Sequence, residues 1–143
     1  MWANRLEPFV TPKITPGLAA ILAGMQKDLY LGNLDEQRDW GFAGDYVEAM
    51  WRMLQKDQPD DFVIGTGKTQ TVRNLLDQAF SYVNLDWHDY VKVDPILFRK
   101  EESILQADIS KAKRMLGWKP RVCFQELISI MVENDLKLVM GSD

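Results

Sequence analysis

The sequence predicts an α/β fold of short strands and about five helices. Three observations carry that reading. Apolar residues recur at helical spacing in several segments, short apolar runs stand between them, and glycine, proline or small polar residues mark most joins. No internal repeat or low-complexity stretch interrupts the alternation.

The first helical segment is KITPGLAAILAGM, residues 13–25, in which Leu18, Ile21 and Leu22 share a face. Pro16 is tolerable if it falls in the first turn, and Gly24 stands near the end. LYLG, residues 29–32, reads as a short strand. DYVEAMWRMLQ, residues 45–55, puts Val47, Met50, Trp51 and Leu54 on one face, and that face is expected in the core. Asp45 is placed to cap this helix or to complement its N-terminal dipole. DFVIGTG, residues 61–67, reads as a buried strand running into a glycine turn.

Val72, Leu75, Leu76, Ala79, Phe80 and Val83 form the next helical face, with Thr71 as its cap. YVKVD, residues 90–94, is strand-like. Asp108 caps ISKAKRMLGW, which closes at Gly117 with Pro120 beyond it. The last helix starts near Phe124 and buries Leu127, Ile128, Met131, Val132 and Leu136.

With 143 residues, the chain suffices for one domain, residues 1–143, with its own core. Its 46% hydrophobic and 27% charged residues place it among globular rather than disordered chains. A net charge of −4 gives no basic surface for nucleic acid, and no apolar run approaches the length of a membrane span. The opening MWANRLEPF lacks the build of a signal peptide, so a cytoplasmic location is expected.

FVIGTGKTQTV, residues 62–72, has the order of a phosphate-binding loop: strand, glycine turn, Lys-Thr, helix. That motif needs a glycine five residues before its Gly-Lys pair, and this chain has Phe62 there. The loop is too short to wrap phosphates, so an ordinary turn is expected. Cys123 and His88 are the only residues of their kinds. They cannot assemble a tetrahedral zinc site without unusual help from carboxylates. Cys123 reads as a buried or half-buried thiol at a helix mouth, and His88 as a solvated loop residue.

Two motifs of hydride chemistry are missing. The chain has no G-x-G-x-x-G fingerprint, and no tyrosine is followed four residues later by lysine.

FVTPKIT (residues 9–15), LGNLDEQRDWGFAGDYVEAMWRMLQKDQPDDFVIGTG (31–67) and DISKAKRMLGWKPRVCFQELISIMVENDL (108–136) closely resemble the GDP-mannose 4,6-dehydratase family. These are extended short-chain dehydrogenase/reductases, and the likeness is to their C-terminal, substrate-binding part only. The resemblance implies an α/β substrate-binding part without a complete Rossmann domain. Such enzymes bind NADP on an N-terminal Rossmann domain and GDP-mannose in the cleft between domains. They oxidise C4 of the hexose, eliminate water across C5 and C6, and return the hydride to C6. The cofactor and catalytic motifs lie upstream of the matching segments, so no NADP is expected on this chain alone and no catalytic residue is assigned.

The resemblance also implies a substrate site. Lys13 occupies the lysine of a guanine-side contact, with Val10 nearby. Arg38, in RDWG, and Arg99, in LFRKEE, match arginines that hold the diphosphate. Two guanidinium forks suit its two negative charges. A family glutamate that accepts hydrogen bonds from ribose or base falls on Glu102 when counted from Arg99, and on Glu101 when counted back from Asp108. RKEESI replaces the family's RPTEVD here, and Lys68 stands where glutamate is more usual. A surface pairing of Arg38 with Asp35 or Asp39 is the plainer alternative for that residue. Two functions follow as expectations: the GDP-mannose-binding portion of a dehydratase, inactive as this chain and with a further copy of itself as a candidate partner in a homo-oligomer, or a non-catalytic remnant serving as a small interaction protein.

Overall fold

A computed structural model describes residues 11–98, 100, 104 and 106–141. Its elements, in chain order, begin with α1 (Thr11–Leu22), β1 (Leu29–Leu31), β2 (Gln37–Arg38) and α2 (Ala43–Leu54). Then follow β3 (Gln70–Thr71), α3 (Val72–Tyr82), a short 3₁₀ turn (Trp87–Asp89), β4 (Val91–Val93), α4 (Ser110–Leu116) and α5 (Phe124–Met140). Five α-helices and two small sheets among the described residues agree with the α/β reading.

The strands pair across long separations. β1 lies parallel to β4, with Leu29 opposite Val91 and Leu31 opposite Val93. β2 lies antiparallel to β3, with Arg38 opposite Gln70. Neither pair is large enough to stand alone, so both depend on the helices packed over them. Among the described residues there is no extended parallel sheet of the Rossmann kind.

Two apolar clusters hold the molecule together. The larger joins Ile14 and Leu18 of α1, Leu29 and Leu31 of β1, the buried face of α3, and Leu127, Ile128, Met131 and Val132 of α5. Leu136 packs at its margin. Thr71 caps α3, its hydroxyl accepting from the Asn74 N–H at 3.0 Å, a contact worth about 1 kcal/mol. The smaller cluster gathers Ala49 of α2, Ala112 and Leu116 of α4, Ile109 and Trp118. Gly117, at φ 62°, ends α4 in the left-handed region as its position suggests. Arg52 donates to the carbonyls of Leu116 at 3.0 Å and Gly117 at 2.8 Å, satisfying acceptors that the helix end leaves open.

Several sequence expectations are corrected. Pro16 is the sixth residue of α1 and so lies beyond its first turn. Of the two roles expected for Asp45 the cap is not the one observed, since α2 begins at Ala43 after Phe42 without a side-chain cap bond, but Asp45 does lie in the first turn, where its charge complements the helix dipole. Asp108 accepts from the N–H of Ser110 at 3.0 Å, just outside an α4 whose flanking residue is Ile109. Cys123 is exposed, at the residue just before α5. Residues 61–64 form no strand, since no neighbouring segment among the described residues pairs with them. The face of α2 bearing Val47, Met50, Trp51 and Leu54 is exposed at 60, 56, 60 and 81%. The core lies on the opposite side of that helix, at Asp45 and Ala49.

Candidate functional site

Along the RDWG segment, residues 38–41, Arg38 is exposed at the end of β2, Asp39 is half-buried and Trp40 is buried. Trp40 stacks on Phe124 with ring centroids 6.1 Å apart. Register is set by pairing with β3 and by the start of α3. The Val72 N–H donates to Glu36 O at 3.0 Å, and Arg73 N–H to Leu34 O at 2.9 Å.

Asp39 explains the glycine turn. Its carboxylate accepts the Thr66 N–H at 3.0 Å, the Gly67 N–H at 3.1 Å, and the Thr66 hydroxyl. Successive backbone N–H groups in such a turn make a concave anion site, and here the anion is the chain's own carboxylate. A Cβ on Gly65 would stand 2.8 Å from Asp39 Oδ2 and 2.6 Å from the Ala107 methyl, so a side chain is excluded there. Gly67 has φ +80°, which glycine adopts without strain. The likeness to a phosphate loop therefore has a structural cause, and the turn is already filled.

Asp45 does similar work inside the second cluster. Its Oδ2 accepts the N–H groups of Arg121 and Val122, each at 3.0 Å, and its carbonyl accepts the Trp118 indole N–H at 2.9 Å. One buried carboxylate thus fastens α2 to the segment leading into α5. Sequence reasoning missed both carboxylate roles. The available signal was local: a glycine turn rich in N–H donors, and acidic residues set among aromatic and apolar ones.

Of the six sequence-predicted site residues, Lys13 and Arg38 lie among those described. Val10, Arg99, Glu101 and Glu102 lie outside them. Lys13 is exposed on α1. Arg38 Nη1 donates to Gln37 O at 2.6 Å, and Nη2 pairs with Glu36. Among the described residues Arg38 is paired with Glu36, not with Asp35 or Asp39. Asp35 pairs with Arg73 at 3.3 Å.

The approach to Arg99 has its own constraint. A Cβ on Gly32 would stand 2.2 Å from Leu97 O, and Asp94 N–H donates to Leu31 O at 2.8 Å. The chain ahead of Arg99 therefore crosses directly over the end of β1, at the head of the segment that leads to Arg38.

A separate cleft of about 590 Å³ is lined by Lys68, Lys113, Lys119 and Arg121 over Trp40 and Phe124; neither Lys13 nor Arg38 lines it. His88 is exposed, with Nδ1 2.6 Å from Asp86 and its ring against Trp87. Hydrogen bonding to His88 holds the Asp86 carboxyl below its ordinary value. No group of histidine, cysteine and carboxylate side chains suited to a metal occurs among the described residues. None of the helices described is long and apolar enough to cross a membrane.

Comparison with known proteins places these features. The chain is 54% identical over 136 residues to GDP-mannose 4,6 dehydratase 1 of Arabidopsis thaliana, a match covering 94% of this chain and 38% of that protein. It is 43% identical over 149 residues to the human GDP-mannose 4,6 dehydratase, covering 92% of this chain and 40% of the relative. It therefore spans about two fifths of the length of the curated relatives it matches. Among solved structures, RMD from Pseudomonas aeruginosa complexed with NADPH superposes with a TM-score of 0.81 at 19% identity, over 91% of this chain and 43% of that one. That likeness shows the shared fold. The family profile described as GDP-mannose 4,6 dehydratase matches residues 3–131, and the chain belongs to that family.

Proposed function

We propose that this chain supplies the GDP-mannose-binding part of a GDP-mannose 4,6-dehydratase and performs no dehydration by itself. Lys13 and Val10 face the guanine, Arg38 and Arg99 hold the diphosphate, and Glu101 or Glu102 accepts from ribose or base. The observation that carries this reading is the fixing of RDWG. Asp39 and Trp40 are spent on the fold, and Arg38 is left at the surface on a two-residue strand whose register is set on both sides.

The chemistry is electrostatic. A guanidinium offers five N–H donors in a planar fork and stays charged at any working pH. Glu36 now takes part of that fork, as an exposed ion pair worth about 0–1 kcal/mol. A diphosphate carries more charge and more acceptors, so it displaces Glu36 at little cost. Leu97 and Phe98 pass close over Gly32, in the segment that leads from β1 to Arg38. The missing G-x-G-x-x-G and Tyr-x-x-x-Lys motifs are the ground for inactivity of this chain alone.

The test uses a single-chain hybrid, in which the unmatched portion of the Arabidopsis relative is joined to this chain. Arg38→Ala should weaken GDP-mannose binding about tenfold or more by calorimetry and leave NADP affinity unchanged. Equal loss of both ligands would make Arg38 a structural residue. Formation of 4-keto-6-deoxy product by this chain alone would contradict its inactivity.

A further inference from the structure

The cleft over Trp40 and Phe124 has walls of fixed backbone. Lys68 leaves the glycine turn that Asp39 fastens, and its own N–H donates to the Thr66 hydroxyl at 3.2 Å. Lys119 and Arg121 flank Pro120 in the segment that Asp45 pins through the Arg121 and Val122 N–H groups. Lys113 is exposed on α4, whose Ala112 and Leu116 are buried. Four cationic side chains from three parts of the chain therefore line one cleft of about 590 Å³.

The charges there run against the rest of the molecule. The chain carries 21 acidic residues and a net charge of −4, yet no carboxylate lines this cleft. Lys68, Lys113 and Lys119 have no ion-pair partner among the described residues. Arg121 has Glu48 at 3.1 Å, but shares it with Arg52 at 3.3 Å. α5 also begins at this cleft. Cys123 gives it no side-chain cap, and the N–H groups of Phe124 and Gln125 have no acceptor among the described residues. Beneath lies Trp40, 7% exposed, whose buried indole N–H likewise lacks an acceptor among the described residues. Clustered charges of one sign repel one another, and a bound anion relieves that repulsion.

We propose that this cleft binds a short polyphosphate chain ending in a free terminal phosphate, as on a nucleoside di- or triphosphate. Charge selects that chemistry. A terminal phosphate carries about −1.5 to −2 at neutral pH, whereas each phosphate of a diphosphate esterified at both ends carries a single charge. Four cations beside an open helix N-terminus match several phosphates better than one phosphate or one carboxylate. The cleft is also larger than a phosphate chain needs, and lies within the range of about 300–1,000 Å³ that holds small organic ligands. Gln70, Gln78 and Gln125 line the remainder with amides that both donate and accept. Such groups suit ribose hydroxyls or a base edge. Inorganic polyphosphate offers the same chain without them. Neither Lys13 nor Arg38 lines this cleft, so the inference does not rest on the GDP-mannose reading.

Cys123 lines the cleft, is exposed and is the chain's only cysteine, so its alkylation by uncharged N-ethylmaleimide reports occupancy. The probes are ATP and inorganic triphosphate, each without metal and at about ten times the Kd found by calorimetry. Each should slow alkylation about tenfold against sodium chloride of equal ionic strength. Tighter binding of ATP assigns the glutamines to the nucleoside, and equal affinity assigns the cleft to the phosphate chain alone; either sustains the proposal. Lys68→Glu and Lys119→Glu should each weaken binding about tenfold or more, and unchanged affinity in both would overturn it. GDP-mannose, which has no terminal phosphate, should protect little at the same concentration; equal protection by it would overturn the proposal. Arg38→Ala should leave protection by ATP unchanged, and its loss there would move the ligand to the other site and overturn the proposal too. Protection by neither probe, or by poly-glutamate alone, is equally fatal to it.

Discussion

Removing the Asp39 carboxylate tests how the glycine turn is held. Asp39→Ala leaves the N–H groups of Thr66 and Gly67 facing a void where an anion sat. Hydrogen bonds to a charged acceptor contribute about 1.5–3 kcal/mol each. Thr66 and Gly67 are only half-buried, so water recovers part of that. The expected loss is about 2–3 kcal/mol by urea unfolding, or about 6–10 °C in melting temperature. Asp39→Asn should lose about half as much, because the amide oxygen still accepts one N–H. The distinctive expectation concerns added anions. In Asp39→Ala the emptied turn can take inorganic phosphate, so millimolar phosphate should raise the variant's melting temperature more than the wild type's. A loss below about 0.5 kcal/mol, or identical phosphate responses, would refute the idea that Asp39 fills an anion site.

Asp45→Ala leaves the part-buried N–H groups of Arg121 and Val122 without their acceptor, and urea unfolding should show a loss of about 3 kcal/mol. Thr15 is fully buried with a hydroxyl that has no hydrogen-bond partner among the described residues, so Thr15→Val should stabilise by about 1 kcal/mol in the same assay. The Asp108 carboxyl is held below its ordinary 3.8 by hydrogen bonds from the Ser110 side chain and backbone. Its folded value is depressed, so its contribution is present above pH 3.8 and is lost as pH falls through the folded value. Asp108→Asn should therefore narrow the difference between melting temperatures recorded at pH 6 and at about pH 3.

The helices were legible because their signals are local. Thr71 before an apolar face, Gly117 after one, and the long stripe from Leu127 to Leu136 each stand within a few residues of the element they define. Helical spacing told that α2 has an apolar face but not which surface covers it. The buried side turned out to be the one carrying Asp45 and Ala49. Residues 61–64 read as a strand because an apolar run there enters a glycine turn, but a strand also needs a neighbour, and pairing is decided far along the chain. The roles of Asp39 and Asp45 were hidden for the same reason. Their partners lie 27 and 76 residues away. The site was legible only as a resemblance. Physical chemistry alone gives no reason to prefer Arg38 over any other exposed arginine.

The central claim is that GDP-mannose meets this chain at Lys13 and Arg38. The most direct measurement is an NMR titration of the isotopically labelled chain with GDP-mannose, carried to millimolar ligand to reach weak binding. The account predicts shift changes at Lys13 and Arg38, with Thr66 and Gly67 undisturbed because Asp39 occupies their N–H groups. Shifts confined to Thr66–Lys68 or to the cleft around Lys113, Lys119 and Arg121, or no shifts at all, would contradict it.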